Sequence, residues 1–174
     1  LFVIDESCFS PCATFAFRIV TPGRIARLEV SSLAGTHVFW NVHNAELTER
    51  NVKQAKKELM ADRRRCVADP AAVAVIVMGD WNFLAQGERR RGCERPELHA
   101  GGPSGDAGVV KRLFGEALAD YTELSQLKGT HYDAASRSTG RLDRIYTATP
   151  GWWLLKLKVE IPLVADPVIY FRNG

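Results

Sequence analysis

A carboxylate and a carboxamide follow directly on a long apolar run of the chain. Asp80 and Asn82 stand in the tetrapeptide Gly79-Asp80-Trp81-Asn82, immediately after the run 72–78. The apolar run predicts a buried strand, and the ends of such strands are where α/β proteins tend to place their chemistry. A carboxylate two residues from an amide can orient a water and hold a phosphate oxygen. Because Gly, Asp and Asn are also common turn residues, a plain strand-ending turn explains the tetrapeptide equally well.

A histidine lies among amides at the end of an earlier predicted strand, in Asn41-Val42-His43-Asn44. A histidine in this setting can donate a hydrogen bond to a phosphate oxygen or share a proton. The alternative is an ordinary surface histidine in a loop between a strand and a helix.

Asp143 lies near the start of a third predicted strand, over 142–147, which otherwise carries several apolar residues. Burying an unpaired carboxylate is costly, so this one needs a partner. Arg141, two residues away on the same face of the strand, can supply it, and so can a histidine whose tautomer the carboxylate would hold. A structural Asp–Arg pair therefore remains the alternative.

The elements that must position these residues are readable from periodicity and turn residues. Alternating segments over 13–20, 24–30 and 36–42 predict an antiparallel meander. Thr48 is a good N-cap for an amphipathic helix, which Asp69-Pro70 ends before the strand 72–78. The apolar face of that helix is predicted to carry Val52, Ala55, Leu59 and Cys66.

Beyond residue 82 the pattern is less regular. Residues 86–108 read as a long loop, 109–120 as a helix, and 142–147 and 152–161 as strands. With 174 residues, 46% of them apolar and 25% charged, the chain suits one soluble domain over 1–174.

The charge and the cysteine content indicate which partners and which cellular compartment to expect. The net charge of +3 is mild but includes two arginine runs, 63–65 and 89–91. The first is predicted to be a solvated helix end, and the second is a candidate contact for a polyanion. The four cysteines lack zinc-ligand spacing, and no signal peptide or membrane-spanning run is visible, so we expect a reduced, intracellular protein.

The three motifs occur in a characteristic order: Asn-x-His-Asn, Gly-Asp-x-Asn and Arg-Leu-Asp-Arg-Ile. In this order, over roughly residues 24–147, the chain resembles the endonuclease/exonuclease/phosphatase superfamily, through His43, Asp80, Asn82 and Asp143. The third motif is most similar to that of LINE-type retrotransposon endonucleases. The resemblance implies an α/β (α+β) fold: a two-layered β-sandwich flanked by helices, DNase I-like and incomplete.

The resemblance also implies a role for each residue. Asp80 would orient or deprotonate the attacking water, Asn82 would position that water and the scissile phosphate, and His43 would contact the phosphate. Asp143 would orient a catalytic histidine near the C-terminus. The reaction would be Mg²⁺-dependent hydrolysis of a phosphodiester, with DNA as the expected partner.

Substrate contacts are expected from two places. Asn44 follows the histidine of the first motif, and Arg89, Arg90 and Arg91 form the second arginine run. The loop that carries the arginines favours a long polyanion as the substrate.

The chain departs from the family pattern at both ends. Family members carry a metal-binding glutamate near the N-terminus, and we do not assign that role to Glu6. They also end in Ser-Asp-His, whereas this chain has Ala165-Asp166-Pro167-Val168. We therefore expect a piece of the domain without its main metal carboxylate and catalytic histidine. Hydrolysis by this chain is expected to be weak or absent.

Two other functions remain open. A phosphatase of the same fold would act on inositol phosphates or sphingomyelin, since fold does not settle substrate. A non-catalytic or decayed domain would account for the missing end motifs.

Overall fold

The computed structural model describes residues 11–82, 106–124, 131–133, 138–140 and 142–149. The strands are β1 (Thr14–Thr21), β2 (Ile25–Ser32), β3 (Gly35–His43), β4 (Val73–Asp80), β5 (Thr122–Leu124), β6 (His131–Asp133), β7 (Ser138–Gly140) and β8 (Asp143–Thr147). The helices are α1 (Glu49–Ala68) and α2 (Asp106–Leu118).

A six-stranded mixed sheet forms the centre of the described structure, in the order β1-β2-β3-β4-β8-β5. The first three strands form the predicted antiparallel meander. The chain then crosses over through α1 and returns as β4, which runs parallel to β3. Because β8 is antiparallel to β4, its first residue lies beside the last residue of β4.

The helix α1 begins as its sequence predicts. Thr48 is the N-cap, and its hydroxyl oxygen accepts a hydrogen bond from the Asn51 backbone N–H. The Asn51 side chain in turn accepts from the Thr48 backbone N–H at 3.2 Å, which completes a capping box. The predicted apolar face is buried, and Asp62 is buried with it. Asp69, the predicted stop, is the C-cap.

The core lies between one face of the sheet and the two helices. Alternate residues of β3 and β4 supply the sheet side, among them Trp40 and Val77, both fully buried. Leu59 from α1 and Phe114 from α2 belong to the same cluster. Ion pairs from Arg18 to Glu58 and from Lys56 to Glu116 close its edges.

A network of charged side chains lies at the centre of this interface. Asp62 of α1 accepts two hydrogen bonds from Arg27 of β2, each 2.8 Å, and one of 2.9 Å from Trp40 Nε1. Arg65 contacts Glu29 through both carboxylate oxygens at 3.0 Å. These hydrogen bonds lower the pKa of Glu29 to about 2 and raise that of Arg65. Arg65 is exposed at the helix end, as predicted, and it is in addition paired, because the sheet places a carboxylate within its reach.

The opposite face of the sheet is apolar and more open. Phe15, Phe17 and Ile19 of β1 retain exposures of 41%, 57% and 58%. The α/β class is confirmed, with one six-stranded sheet and a two-stranded β6–β7 pair in the described residues. The second layer of the expected sandwich is not described there, and the predicted strand 152–161 lies outside them. The helix α2 begins at Asp106 rather than at the predicted residue 109.

Candidate functional site

The three residues singled out from three separate motifs lie in one row across the sheet. His43 is paired in register with Asp80 across the parallel β3–β4 ladder. Asp80 is paired in register with Asp143 across the antiparallel β4–β8 ladder. Residues in register point to the same face of a sheet, so the three side chains share one face at one end of their strands.

A cavity of about 440 Å³ opens at this row. His43, Asp80 and Asp143 line it together with Asn41, while Met78 and Ile145 contribute apolar wall. His43 and Asp143 are exposed and Asp80 is half-buried. Two carboxylates, an imidazole and an amide over a partly apolar floor can bind a polar ligand, and carboxylates there can orient a water molecule.

Asp80 and Asn82 also form a turn, so the two alternatives for this tetrapeptide are not exclusive. Asp80 Oδ1 accepts a hydrogen bond of 2.9 Å from the Asn82 backbone N–H. Asn82 has φ of +51°, a left-handed conformation that asparagine tolerates better than most residues. The turn fixes one carboxylate oxygen of Asp80 and thereby the orientation of the group.

The amides predicted to contact substrate are engaged with the backbone instead. Asn44 Nδ2 donates to the Trp81 carbonyl at 2.6 Å, and Asn82 Nδ2 donates to the Asn44 carbonyl at 3.0 Å. A backbone bond of 2.8 Å from Asn44 N–H to the Asp80 carbonyl runs beside them. In the described structure Asn44 and Asn82 therefore join the loops after β3 and β4, and neither lines the cavity.

Gly79 allows these two strand ends to approach closely. A Cβ at this position would lie 1.8 Å from the Val42 carbonyl oxygen, far inside van der Waals contact. Only glycine fits such an approach. The glycine before Asp80 thus keeps the ends of β3 and β4 in register.

Trp81 anchors the same turn from below and was not among the predicted site residues. Its backbone N–H donates to the Leu142 carbonyl at 2.9 Å, and its ring packs edge-on against Phe114 and Tyr146. The alternation of side chains along a strand could have indicated the position of Trp81 from the sequence. It places Trp81 on the face opposite Asp80, towards the helices.

The third motif contributes a buried cation as well as Asp143. Arg144 is 1% exposed and donates to both carboxylate oxygens of Glu123 on β5, at 2.9 and 3.2 Å. This pair fixes β8 between its neighbours. Arg141, the expected partner of Asp143, lies outside the described residues.

Arg24 is a further site residue that the motifs do not indicate. Its Nη1 lies 3.3 Å from His43 Nδ1, and its Nη2 donates to Glu46 at 2.6 Å. Arg24 precedes β2 by one residue, and only the pairing of β2 with β3 brings it to His43.

Several expectations fall outside the described residues. These are the arginine run Arg89, Arg90 and Arg91, the acidic residue Glu6, and the segment 165–168. Among the residues that the structure describes, no group of three or more His, Cys, Asp or Glu side chains could hold a metal ion. None of the described helices is long and apolar enough to cross a membrane.

No protein-family model matches the sequence, and no curated protein matches it significantly. Several solved structures are similar to it, among them the following two. The endonuclease domain of TRAS1, a telomere-specific non-LTR retrotransposon, is 14% identical, with a TM-score of 0.46 over 76% of this chain and 53% of that one. Humanized TDP2 of D. rerio, carrying 14 mutations, is 15% identical, with a TM-score of 0.37 over 78% and 52%.

The chain thus spans about half the length of each of these structures. Both are members of the DNase I-like fold.

Proposed function

We propose that the row His43, Asp80 and Asp143 is part of a phosphodiesterase site that acts on nucleic acid in a longer protein. Hydrolysis by the 174-residue chain alone is expected to be weak or absent. The observation that carries the proposal is the register across β3, β4 and β8. It places three residues from motifs far apart in sequence around one cavity.

Each residue has a distinct task in the proposed reaction. Asp80, held by its turn, accepts a hydrogen bond from the attacking water and orients it towards phosphorus. His43, on the neighbouring strand, donates to a phosphoryl oxygen and stabilises the charge that develops there. Asp143 supplies a second carboxylate on the other side of Asp80.

The two carboxylates suit a divalent cation shared with the substrate. Asp80 and Asp143 are direct cross-strand partners, an arrangement of like charges that costs stability when nothing neutralises it. Mg²⁺ is commonly held by one or two carboxylates together with substrate phosphate oxygens. Asp80 and Asp143 would hold it here, and the ion would neutralise charge on the phosphate.

Nicking of supercoiled plasmid in the presence of Mg²⁺ tests the catalytic part. We expect slow nicking at most, lost in Asp80→Ala and retained in Asp120→Ala, an exposed carboxylate outside the cavity. Where the wild type nicks detectably, equal nicking by Asp80→Ala would refute the role of Asp80. Rapid turnover that Asp80→Ala abolishes would instead refute the expectation of weak activity.

Binding of a single-stranded or duplex oligonucleotide tests the substrate class, even if no turnover is seen. We expect affinity to fall steeply between about 50 and about 200 mM salt, because binding to many phosphates releases counterions. Affinity for DNA that does not depend on salt, or that inositol phosphate abolishes at equal phosphate concentration, would favour a small phosphoester instead.

A further inference from the structure

A cation lies against one ring nitrogen of His43. Arg24 Nη1 is 3.3 Å from His43 Nδ1. An arginine side chain has five N–H donors, no acceptor, and stays protonated in proteins. The only hydrogen bond that this pair can form therefore has Arg24 as the donor and Nδ1 as the acceptor.

Two further hydrogen bonds hold Arg24 in position. The His43 backbone N–H donates to the Arg24 carbonyl at 2.7 Å, so the two residues are also joined through the main chain. Arg24 Nη2 donates to Glu46 at 2.6 Å. Glu46 itself has φ of +55°, a left-handed conformation that costs a non-glycine residue about 1 kcal/mol.

The groups around His43 differ on the two sides of the ring. Arg24, with Glu46 behind it, lies at Nδ1. Asp80 is the register partner on β4, and Asp143 follows on β8. An ionised carboxylate can accept a hydrogen bond from a protonated ring nitrogen, but it cannot donate one to an unprotonated ring nitrogen. With Arg24 donating to Nδ1, the ring proton is expected on Nε2, where a carboxylate can accept it.

We propose that Arg24 is a positioning residue that donates to His43 Nδ1 and holds the imidazole in the tautomer with Nε2–H. His43 then presents a hydrogen-bond donor to its ligand and does not act as a general base. The consequence for catalysis rests on the proposed phosphodiesterase function, in which Nε2–H meets a phosphoryl oxygen. The tautomer itself does not depend on any activity.

The tautomer is measured by NMR of the full chain labelled with ¹⁵N-histidine, near pH 8, well above the ordinary histidine pKa of about 6.5. The His43 signals are assigned by their loss in His43→Gln. We expect Nδ1 to be unprotonated and hydrogen-bonded, and Nε2 to be protonated. A protonated Nδ1 in the wild type would overturn the proposal without any variant.

Variants then show whether Arg24 is the donor. In Arg24→Met the Nδ1 resonance should shift towards that of an imidazole nitrogen without a donor, and Arg24→Lys should restore part of the shift. Arg18→Met, which removes a cation paired with Glu58 on the helix-covered face, is the matched control and should leave the signal in place. An Nδ1 resonance unchanged in both methionine variants would refute the assignment. Absence of salt-sensitive DNA binding together with the expected shifts would count against the phosphodiesterase function alone.

Discussion

The sheet carries two groups of acidic side chains in opposite surroundings. Under α1, Glu29 and Asp62 are matched by Arg27 and Arg65, and Asp62 is 5% exposed. At the strand ends, Asp80 and Asp143 stand side by side and line a cavity. The first group is a closed network in which each charge meets an opposite charge.

The difference separates a structural use of carboxylates from a chemical one. A buried carboxylate is tolerated where donors surround it, and it then fixes the register of α1 on the sheet. Adjacent like charges at a strand end add repulsion rather than stability. We propose that Asp80 and Asp143 instead serve to meet a ligand or cation. We therefore expect changes in the two groups to have effects of different size on stability.

The largest effect is expected from removal of Asp62. Asp62→Ala removes the acceptor of the buried Trp40 Nε1–H and two of the hydrogen bonds of the Arg27 guanidinium, which keeps only Glu29 as a partner. The free energy of unfolding should fall by about 3–5 kcal/mol, the usual cost of breaking a buried pair on one side. Denaturant unfolding measures it, with Asp120→Ala as the exposed control. A loss no greater than in that control would show that the network does not stabilise the fold.

The next effect concerns the close approach that aligns the row. Gly79→Ala places a methyl group on the Val42 carbonyl oxygen and should cost about 2–3 kcal/mol of unfolding free energy. Gly115→Ala is the matched control, because a Cβ there meets nothing within 4 Å. Because alanine favours helix formation more than glycine does, the free energy of unfolding of the control should be unchanged or rise by up to about 1 kcal/mol. Equal stability of the two variants would contradict the proposed role of Gly79.

The contribution of Glu29, in the closed network, to the free energy of unfolding should depend on pH. The hydrogen bonds from Arg65 and Arg27 lower the pKa of Glu29 to about 2. Because the folded pKa is below the unfolded value of about 4.3, the stabilisation is complete above pH 4.3 and is lost as pH falls towards 2.

We expect this contribution to be on the order of 1–2 kcal/mol, since Arg65 is 44% exposed and its pair is screened by solvent. The free energy of unfolding, measured at several pH values between about 5 and about 2, should therefore change less with pH for Glu29→Gln than for wild type. The same pH dependence of the unfolding free energy in both proteins would mean that Glu29 keeps an ordinary pKa in the folded protein.

The smallest effect on stability is predicted for the strand-end row. Asp143→Asn removes one of two like charges that are direct cross-strand partners. Without metal, the free energy of unfolding of the variant should change by no more than about 0.5 kcal/mol, because Asp143 is exposed. Mg²⁺ should raise the melting temperature of the wild type more than that of Asp143→Asn. A variant that is destabilised like Asp62→Ala would place Asp143 in a structural network instead.

Much of the local structure followed from patterns that act over a few residues. The meander, the helix beginning after Thr48, and the strand that delivers Asp80 all obey periodicities of side-chain burial or capping. The roles of Asn44, Arg65 and Arg144 did not follow. Each depends on a partner on another strand or helix, which single-segment patterns do not reveal.

By itself the sequence determined which residues end the strands, and it set His43, Asp80 and Asp143 in motifs whose order resembles that of the endonuclease/exonuclease/phosphatase superfamily. It could do so because residue type, spacing and turn chemistry are local properties of the chain. Only the tertiary structure decided that these three residues share one row, that Asn44 and Asn82 face backbone, and that Arg24 meets His43. The physical reason is register: side-chain direction alternates along a strand, so the pairing of distant strands settles which groups face the same space.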